Sequence, residues 1–361
     1  MLVQTDNPTT MKKLQFSFFL LISIFLITSC EDDGKPIPIG NLSGRPGEVV
    51  IVCKKSEWNG EVGDSIQSIF HRSQYGLPQD EPYFNLIQTT DQNFNKIFKT
   101  FRNILYVNID TNRMSKAELT IKRSVWAKGQ LIARIDAPDK ASFLNLLSEN
   151  RNRLINFFNN KELDRLYLRN KQFGSKDIQK KVFENYSLRI TPMKDAYIAT
   201  EDSNVVWLRV ERKRDLGGFE HQISQGVLIF YTEYTDRKNL LDSNLLANMD
   251  EYLKKFVPGP ADSSYMTLDY KYVPPVSTEI NYHDHYAKEF RGLWRMKNYM
   301  MGGPMVGLTV LDEENDRIVY AIGYVYAPQF DKREYLREMD AVIKSLQFND
   351  EEPKKKAQKK S

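Results

Sequence analysis

Short runs of apolar residues alternate with amphipathic segments through the first half of this chain. Residues 49–53 form one such run, Val-Val-Ile-Val-Cys, which is typical of a strand that is buried on both faces. Asp64, Asp91 and Asp139 each precede apolar residues that recur at helical spacing, so each aspartate is predicted to cap a helix. A sheet that is covered by helices produces this alternation.

The second half of the chain is richer in strand-like runs. The sequence therefore predicts an α+β protein, with largely antiparallel sheets and helices packed on them. The predicted strands are residues 49–53, 83–87, 104–109, 119–122, 130–136, 205–210, 227–234, 266–272, 292–299, 306–311 and 318–326. The helix that follows Asp139 is predicted to be long, through Phe158, and further helices are predicted at residues 240–256 and 331–346.

One unit recurs three times: an apolar strand, a short turn with aspartate or proline, and an amphipathic helix. Its copies begin at residues 131, 227 and 318. Two interpretations remain open. The unit is either a common way to leave a strand and begin a helix, or a sign that the body contains related strand-turn-helix modules.

The amino-terminal segment resembles a bacterial lipoprotein signal. Met11-Lys12-Lys13 precedes an apolar run over residues 16–27, which is shorter than the roughly 20 residues that span a bilayer. The small residues Thr28 and Ser29 stand directly before Cys30, as a lipoprotein signal peptidase requires. Cys30 is therefore the predicted lipidation site and membrane anchor. A plain transmembrane anchor is the alternative.

These features divide the chain into five segments. Residues 1–29 are the predicted signal peptide, and residues 30–46 an acidic, proline-containing tether. An N-terminal α/β domain is predicted at residues 47–185, and a C-terminal α+β domain at 186–348, because the length suits two domains. Residues 349–361 form a charged tail that contains too little apolar surface to pack, so it is predicted to be disordered.

Charge and cysteine content narrow the class of protein further. The net charge of +4 arises largely from the signal and the tail, so the predicted body is nearly neutral. A nucleic-acid partner would need a clustered basic face, and none is expected here. Only two cysteines are present. With Cys30 lipidated, Cys53 has no partner for a disulfide, and it is predicted to be a buried thiol.

Several motifs in a fixed order resemble one known family. They lie at residues 44–50, 77–84, 102–104, 126–130 and 326–328. Together they resemble the domain-of-unknown-function 4837 family of Bacteroidota lipoproteins, over nearly all of the mature chain. The resemblance implies an outer-membrane lipoprotein and supplies no catalytic residue. An acidic stretch after the lipidated cysteine, here Glu31-Asp32-Asp33, resembles a signal for export to the cell surface. A solvated linker facing the periplasm is the alternative, so the membrane face stays open.

Two sets of residues are candidates for contact with a ligand or partner. Gln79, Asp80 and Glu81 lie in a loop between two prolines, which could line a pocket or simply form a rigid turn before a strand. Trp126 and Trp294 could stack on a sugar or pack against a partner, although alternation along strands favours a place in the core.

His283 and His285 are the only metal-ligand pair worth testing. On a regular strand both imidazoles would face the same side and could reach one zinc ion. The sequence identifies no third ligand, and Asn281 and Asp284 favour a turn. We therefore expect no metal site and no cofactor.

The sequence contains none of the common catalytic motifs. The serine elbow, the Walker loop, the zinc protease motif, the penicillin-binding motifs and the dinucleotide fingerprint are all absent. The expected role is a non-catalytic binding or assembly component of the cell envelope, with an envelope protein or a glycan as its partner. The alternative is a hydrolase that acts on envelope polymers.

Lipidation is directly testable. Replacing the predicted anchor, Cys30→Ala, should leave a larger, unprocessed precursor, because the signal peptidase needs the modified cysteine. Labelling with a radioactive fatty acid, followed by electrophoresis, checks both size and acylation. Normal maturation of the variant with fatty acid still attached would contradict the prediction.

Overall fold

The computed structural model describes residues 40–110 and 115–348. The predicted signal, Cys30, most of the tether and the charged tail lie outside these ranges. Within them, no helix has both the length and the apolar composition needed to cross a membrane.

Eight α-helices and fifteen strands are found in the described ranges. The helices are α1 (Lys55–Trp58), α2 (Glu61–Phe70), α3 (Lys96–Lys99), α4 (Lys140–Glu149), α5 (Arg151–Phe173), α6 (Lys176–Tyr186), α7 (Asp242–Phe256) and α8 (Arg333–Ile343). The strands are β1 (Glu48–Val52), β2 (Asn85–Thr89), β3 (Asn103–Ile109), β4 (Glu118–Arg123), β5 (Leu131–Ala137), β6 (Leu188–Arg189), β7 (Tyr197–Asp202), β8 (Val205–Leu216), β9 (Phe219–Glu233), β10 (Tyr265–Leu268), β11 (Val276–Tyr282), β12 (His285–Lys297), β13 (Gly302–Asp312), β14 (Arg317–Tyr326) and β15 (Gln347–Phe348).

The first sheet is mostly parallel, in the order β2-β1-β3-β5-β4, and only β4 runs antiparallel to its neighbour. Helices α2, α4 and α5 cover one face, and a cluster that includes Phe94, Phe98 and Trp126 covers the other. Because both faces are buried, β1 is a continuous apolar run rather than an alternating one. Cys53 follows β1 as a buried free thiol, and burial raises its pKa to about 11.

The second sheet has eight antiparallel strands, in the order β10-β12-β13-β14-β9-β8-β7 with β11 paired to β12. Alternate residues of β14 face opposite sides: Tyr320 packs with α7, while Val319 and Ala321 pack with α6 and α8. Gly323 allows α8 to approach closely, since a Cβ there would lie 2.8 Å from Cβ of Met339. The described ranges contain a large antiparallel sheet and eight α-helices, so the predicted α+β class is confirmed.

The predicted helix starts were only partly right. Asp139 caps α4 as predicted, accepting a hydrogen bond from the Ser142 amide at 2.8 Å, but that helix ends at Glu149 and α5 follows as a separate helix. Asp64 lies inside α2 rather than at its start. Asp91 begins only a short 3-10 turn, and the side chain of Asn95 caps the four-residue α3 instead. Phe98 lies within α3, but Phe94 and Phe101 pack on the sheet from outside any α-helix, so the helical spacing of this segment was misleading.

Several elements were missed, and the missed strands β7 and β11 have little buried surface. Helix α6 and strands β7 and β11 were not predicted, and strands β8 and β9 extend well beyond residues 205–210 and 227–234. The outer part of the β8–β9 hairpin is exposed on both faces, with Phe219 near the tip 73% exposed. Such strands carry no apolar alternation for a sequence pattern to reveal.

The three strand-turn-helix units differ in their surroundings. Strand β5 lies in the parallel sheet, whereas β9 and β14 are hydrogen-bonded neighbours in the antiparallel sheet. Asp139 and Asp236 each cap the helical turn that follows their strand. After β14, no local side chain caps α8. The cap comes from a distant part of the chain.

Glu81 supplies that cap. Its side chain is 4% exposed, and its two carboxylate oxygens accept the backbone N–H groups of Lys332 and Arg333 at 2.7 and 2.8 Å. The first N–H groups of a helix have no partner within the helix, and the helix dipole favours a negative charge there. Gln79 adds a contact by accepting a hydrogen bond from Lys332 Nζ at 2.5 Å. A loop of the N-terminal half thus holds a helix of the C-terminal half.

This cap should matter for stability. Glu81→Ala should lower the free energy of unfolding by about 2 kcal/mol, since cap removal costs about 0.5–2 kcal/mol and a buried unsatisfied donor about 1–3 kcal/mol. The matched control is Asp80→Ala, because Asp80 is exposed and, among the described residues, bonds only to Ser73; its effect should stay within about 0.5 kcal/mol. Urea unfolding of both variants is the measurement. Equal midpoints would show that the cap contributes nothing.

Candidate functional site

The predicted loop residues make contacts within the protein. Gln79 and Glu81 contact the start of α8, while Asp80 is exposed and accepts a hydrogen bond from the Ser73 hydroxyl. These contacts support the rigid-turn interpretation of the loop over that of a pocket wall.

The two predicted tryptophans lie in different sheets. Trp126 packs on the first sheet, with its ring edge-on to Phe94 at 5.5 Å between centroids. Its backbone carbonyl accepts a hydrogen bond from Gly40. Trp294 is a residue of β12 in the second sheet. The structure therefore does not bring the five predicted contact residues together.

The histidines lie at a hairpin turn between β11 and β12. His283 and Asp284 are the two turn residues, with φ of 52° and 70°, and His285 is the first residue of β12. His285 is edge-on to Phe348, at 4.8 Å between centroids, and His283 is edge-on to Tyr282, at 4.6 Å. Since His283 lies in the turn, the same-face geometry of a regular strand does not apply. Over the described ranges, no cluster of three or more histidine, cysteine, aspartate or glutamate residues could hold a metal ion.

Trp294 lines a pocket on the α7 side of the second sheet. Its side chain is 2% exposed, and Nε1 donates a hydrogen bond to the Val325 carbonyl at 3.1 Å. Its ring lies edge-on to that of Tyr324, at 5.6 Å between centroids. These contacts fix the orientation of the indole.

Trp207 joins the same pocket from β8, and the sequence analysis missed it as a site residue. Its Nε1 donates to the Tyr324 hydroxyl at 3.0 Å, so Tyr324 on β14 links the two tryptophans. Gly226, which is paired with Tyr324 across the sheet, makes room for that ring: a Cβ there would lie 2.4 Å from Cζ of the tyrosine. Three strands separate β8 from β12 in the sheet. Only the order of the strands shows that Trp207 and Trp294 line one pocket, and the sequence does not reveal that order.

The pocket has a volume of about 240 Å³. Besides the aromatic residues, its walls contain three methionines and a proline-rich segment. These are Met266, Met296, Met301 and residues 257–260. Methionine is flexible and polarisable, so such a wall adapts to the shape of an apolar group.

Arg209 is the charged group at the pocket. Its guanidinium lies over the Trp207 ring, 4.9 Å from the centroid, and Nη2 donates to Glu211. Its Nε–H group is buried and has no hydrogen-bond partner in the described part of the chain. A buried donor of this kind favours a ligand that brings a hydrogen-bond acceptor.

The rim of the pocket exposes further apolar surface. Met300 is 98% exposed and Tyr299 is 45% exposed, in the connection from β12 to β13. The adjacent Met301 is partly buried in the wall, and its carbonyl accepts the Met296 N–H at 2.8 Å. The rim therefore places one exposed apolar side chain beside one that is held in the wall.

We predict that His283 and His285 do not form a zinc site. His283→Ala combined with His285→Ala should leave the zinc content and melting temperature of the purified protein nearly unchanged, because zinc sites in proteins use three or four protein ligands. Elemental analysis and thermal unfolding are the measurements, with the exposed His71→Ala as the control. Stoichiometric zinc that is lost in the double variant alone would overturn this expectation.

Comparison with known proteins divides the chain into two matched regions. Residues 175–345 match the family model "Domain of unknown function (DUF4837)", and residues 43–171 match "Domain of unknown function (DUF8532)". The boundary falls at the end of α5. Of the motifs that carried the resemblance, only the one at residues 326–328 lies in the first region; the others lie in the second.

Other comparisons are less informative. No curated protein matches this chain. A crystal structure of a protein of unknown function from Pseudomonas aeruginosa is similar at 12% identity, covering 41% of this chain and 84% of that one, with a TM-score of 0.22. A score this low carries no argument about fold or function. The similarity of this chain to known proteins therefore rests on the two family models: residues 175–345 are similar to the DUF4837 family, and the region before them is similar to the DUF8532 family.

Proposed function

We propose that this protein is a membrane-anchored lipoprotein of the cell envelope that acts as a non-catalytic binding component. The pocket formed by Trp207, Trp294 and Tyr324 is the observation that carries the proposal. In this proposal the pocket receives an apolar side chain of a partner protein. The apolar run over residues 16–27 and the cysteine that follows it at position 30 support the proposed location of the protein.

The anchor would keep the body near the membrane. Gly40 is the first described residue, and it is hydrogen-bonded to Trp126 of the first sheet. The stretch from Cys30 to Gly40 spans at most about 35 Å when fully extended. A partner that binds such a body would itself belong to the envelope.

The size of the pocket argues for a side chain as its occupant. Sites for complete small molecules usually have volumes of about 300–1,000 Å³. This pocket, at about 240 Å³, is smaller. Binding energy between proteins is often concentrated in a few side chains that fill pockets of this kind.

The chemistry of the walls supports an occupant with an apolar body and an adjacent acceptor. Tryptophan, tyrosine and methionine side chains supply the apolar contact. The buried Nε–H of Arg209 can donate to a carbonyl oxygen. Because Glu211 already neutralises Arg209, a neutral acceptor such as a backbone carbonyl fits better than a carboxylate.

The ionisable groups of the wall suit binding better than acid-base catalysis. Burial raises the pKa of Tyr324 well above its usual value, so its hydroxyl stays protonated at neutral pH. Arg209 carries a guanidinium group, which supplies hydrogen-bond donors and no acceptor. Neither group can serve as a general base near pH 7. A hydrolase acting on envelope polymers remains the alternative, and it would need a different site.

The proposal can be tested with a defined probe and methionine methyl NMR. N-acetylphenylalaninamide supplies an apolar side chain flanked by carbonyls. Titration should shift the methyl resonances of Met266, Met296 and Met301, with a dissociation constant on the order of 1 mM, as about 4 kcal/mol from a single anchor implies.

Neighbouring methionines give a matched pair of variants. Met301→Trp should fill the pocket and weaken probe binding at least about tenfold, equivalent to about 1.4 kcal/mol. Met300→Trp is the control, because that side chain is exposed outside the pocket, and it should bind the probe like the parent protein. If the probe shifted no pocket methionine, or if both variants bound equally well, the proposed binding role of this pocket would be wrong.

A further inference from the structure

A second cavity lies between the N-terminal half of the chain, residues 43–171, and the C-terminal half, residues 175–345. It is separate from the pocket formed by Trp207, Trp294 and Tyr324, which is called the aromatic pocket below. Its volume is about 290 Å³, close to the lower limit of about 300 Å³ for small-molecule sites, and its walls come from α5, the loop before β2, β12 and the end of α8. Clefts between structural units are frequent ligand sites. The side chains that line it are mainly polar.

Three asparagines on α5 form one wall. Asn156, Asn159 and Asn160 are three and four positions apart, so they share one face of the helix. Asparagine is a poor helix former, costing up to about 0.7 kcal/mol relative to alanine at each position. Such a stripe inside a long helix is therefore not explained by helix stability.

The asparagines are also largely free of partners within the protein. Asn159 accepts a hydrogen bond from Arg337 Nε at 3.3 Å. Asn156 and Asn160 are exposed to the cleft, and their amides have no hydrogen bond to any group in the described ranges. Each amide offers both a donor and an acceptor to a ligand. Gln74 adds a further amide to the lining of the cleft.

Paired charges form the floor of the cleft. Arg291 contacts Asp340 at 2.5 Å, and Lys344 contacts both Glu289 at 2.9 Å and Asp340 at 3.2 Å. Although burial alone would raise the pKa of Asp340, Lys344 and Arg291 hold it below its usual value, so the carboxylate stays charged. Two positive and two negative groups thus neutralise one another.

The free asparagine amides and the paired charges together determine which kind of ligand the cleft can bind. An anion would meet Glu289, and a cation would meet Lys344 and Arg291, whose charges are already paired with acidic groups, so neither finds an unpaired opposite charge. A neutral molecule with many hydroxyl groups can donate to and accept from the amides at the same time. Tyr83 adds an aromatic wall, with Arg72 placed over its ring at 5.0 Å from the centroid.

We propose that this cleft binds the hydroxyl-rich face of a neutral saccharide unit. This assignment goes beyond the proposed partner pocket and does not depend on it, because the two cavities share no lining residue. It makes the interface between the two halves a recognition site for a glycan.

The test uses the full mature chain and three neutral disaccharides: maltose, cellobiose and N,N′-diacetylchitobiose. Buffers must contain no glycerol and no detergent with a sugar headgroup. At least one disaccharide should bind by calorimetry and shift the side-chain amide NMR signals of Asn156 and Asn160. If none of them binds, the proposal is wrong. Equal binding of glycerol would also overturn it, since any polyol, including a lipid headgroup, would then suffice.

Variants on α5 locate the site. Asn156→Leu combined with Asn160→Leu should weaken disaccharide binding at least about tenfold, equivalent to about 1.4 kcal/mol. Both positions are exposed, and leucine is a better helix former, so folding should be retained, as thermal unfolding can verify. Asn152→Leu is the matched control on the same helix, exposed and outside the cleft lining, and should bind normally.

The aromatic pocket provides a second control. Met301→Trp should leave disaccharide binding unchanged, because Met301 lies in the other cavity. Unchanged binding in the double asparagine variant, or loss of binding in Met301→Trp, would place saccharide binding outside the cleft and reject the assignment. If N-acetylphenylalaninamide does not bind, by contrast, only the proposed role of the aromatic pocket is wrong, and the saccharide assignment is unaffected.

Discussion

The capping of α8 by Glu81 joins the N-terminal half of the chain to a buried helix end of the C-terminal half. Helix α8 is buried on most sides, between the second sheet and α5. Leu336, Met339 and Ile343 pack on the sheet, which is ordinary for an amphipathic helix. Its first N–H groups are buried as well, and without Glu81 they would have no partner there.

The polar side of α8 extends the same connection. Arg337 donates to Glu334 at 2.5 Å and to Asn159 of α5 at 3.3 Å. Arg333 donates to the Pro82 carbonyl at 2.6 Å. Buried charges are tolerated only when they are paired and hydrogen-bonded, so these groups need the N-terminal half beside them. The polar cleft lies where this network meets solvent.

Strand β12 connects the two candidate sites. Successive side chains of a strand point to opposite faces, so Phe290 and Trp294 face α7 while Glu289 and Arg291 face α8. One face of the strand contributes to an apolar pocket, and the other to a neutral, amide-lined cleft. The sites therefore differ in chemistry because the sheet separates them, and a single chain can offer one surface to a protein side chain and another to a sugar.

Local periodicity determined the fold class, the buried core of most strands and the buried thiol at Cys53, because runs of apolar residues identify segments that are buried whatever lies beside them. Residue type and position, rather than periodicity, singled out Glu81, in a loop between two prolines, and Trp294, an aromatic residue, as candidate contact residues. Only the tertiary structure decided what those residues do. Glu81 meets Lys332 across 251 positions, and Trp294 meets Trp207 through a tyrosine on a third strand. Strand order and the docking of α8 on two surfaces create these pairs, and both depend on long-range packing that no local pattern encodes.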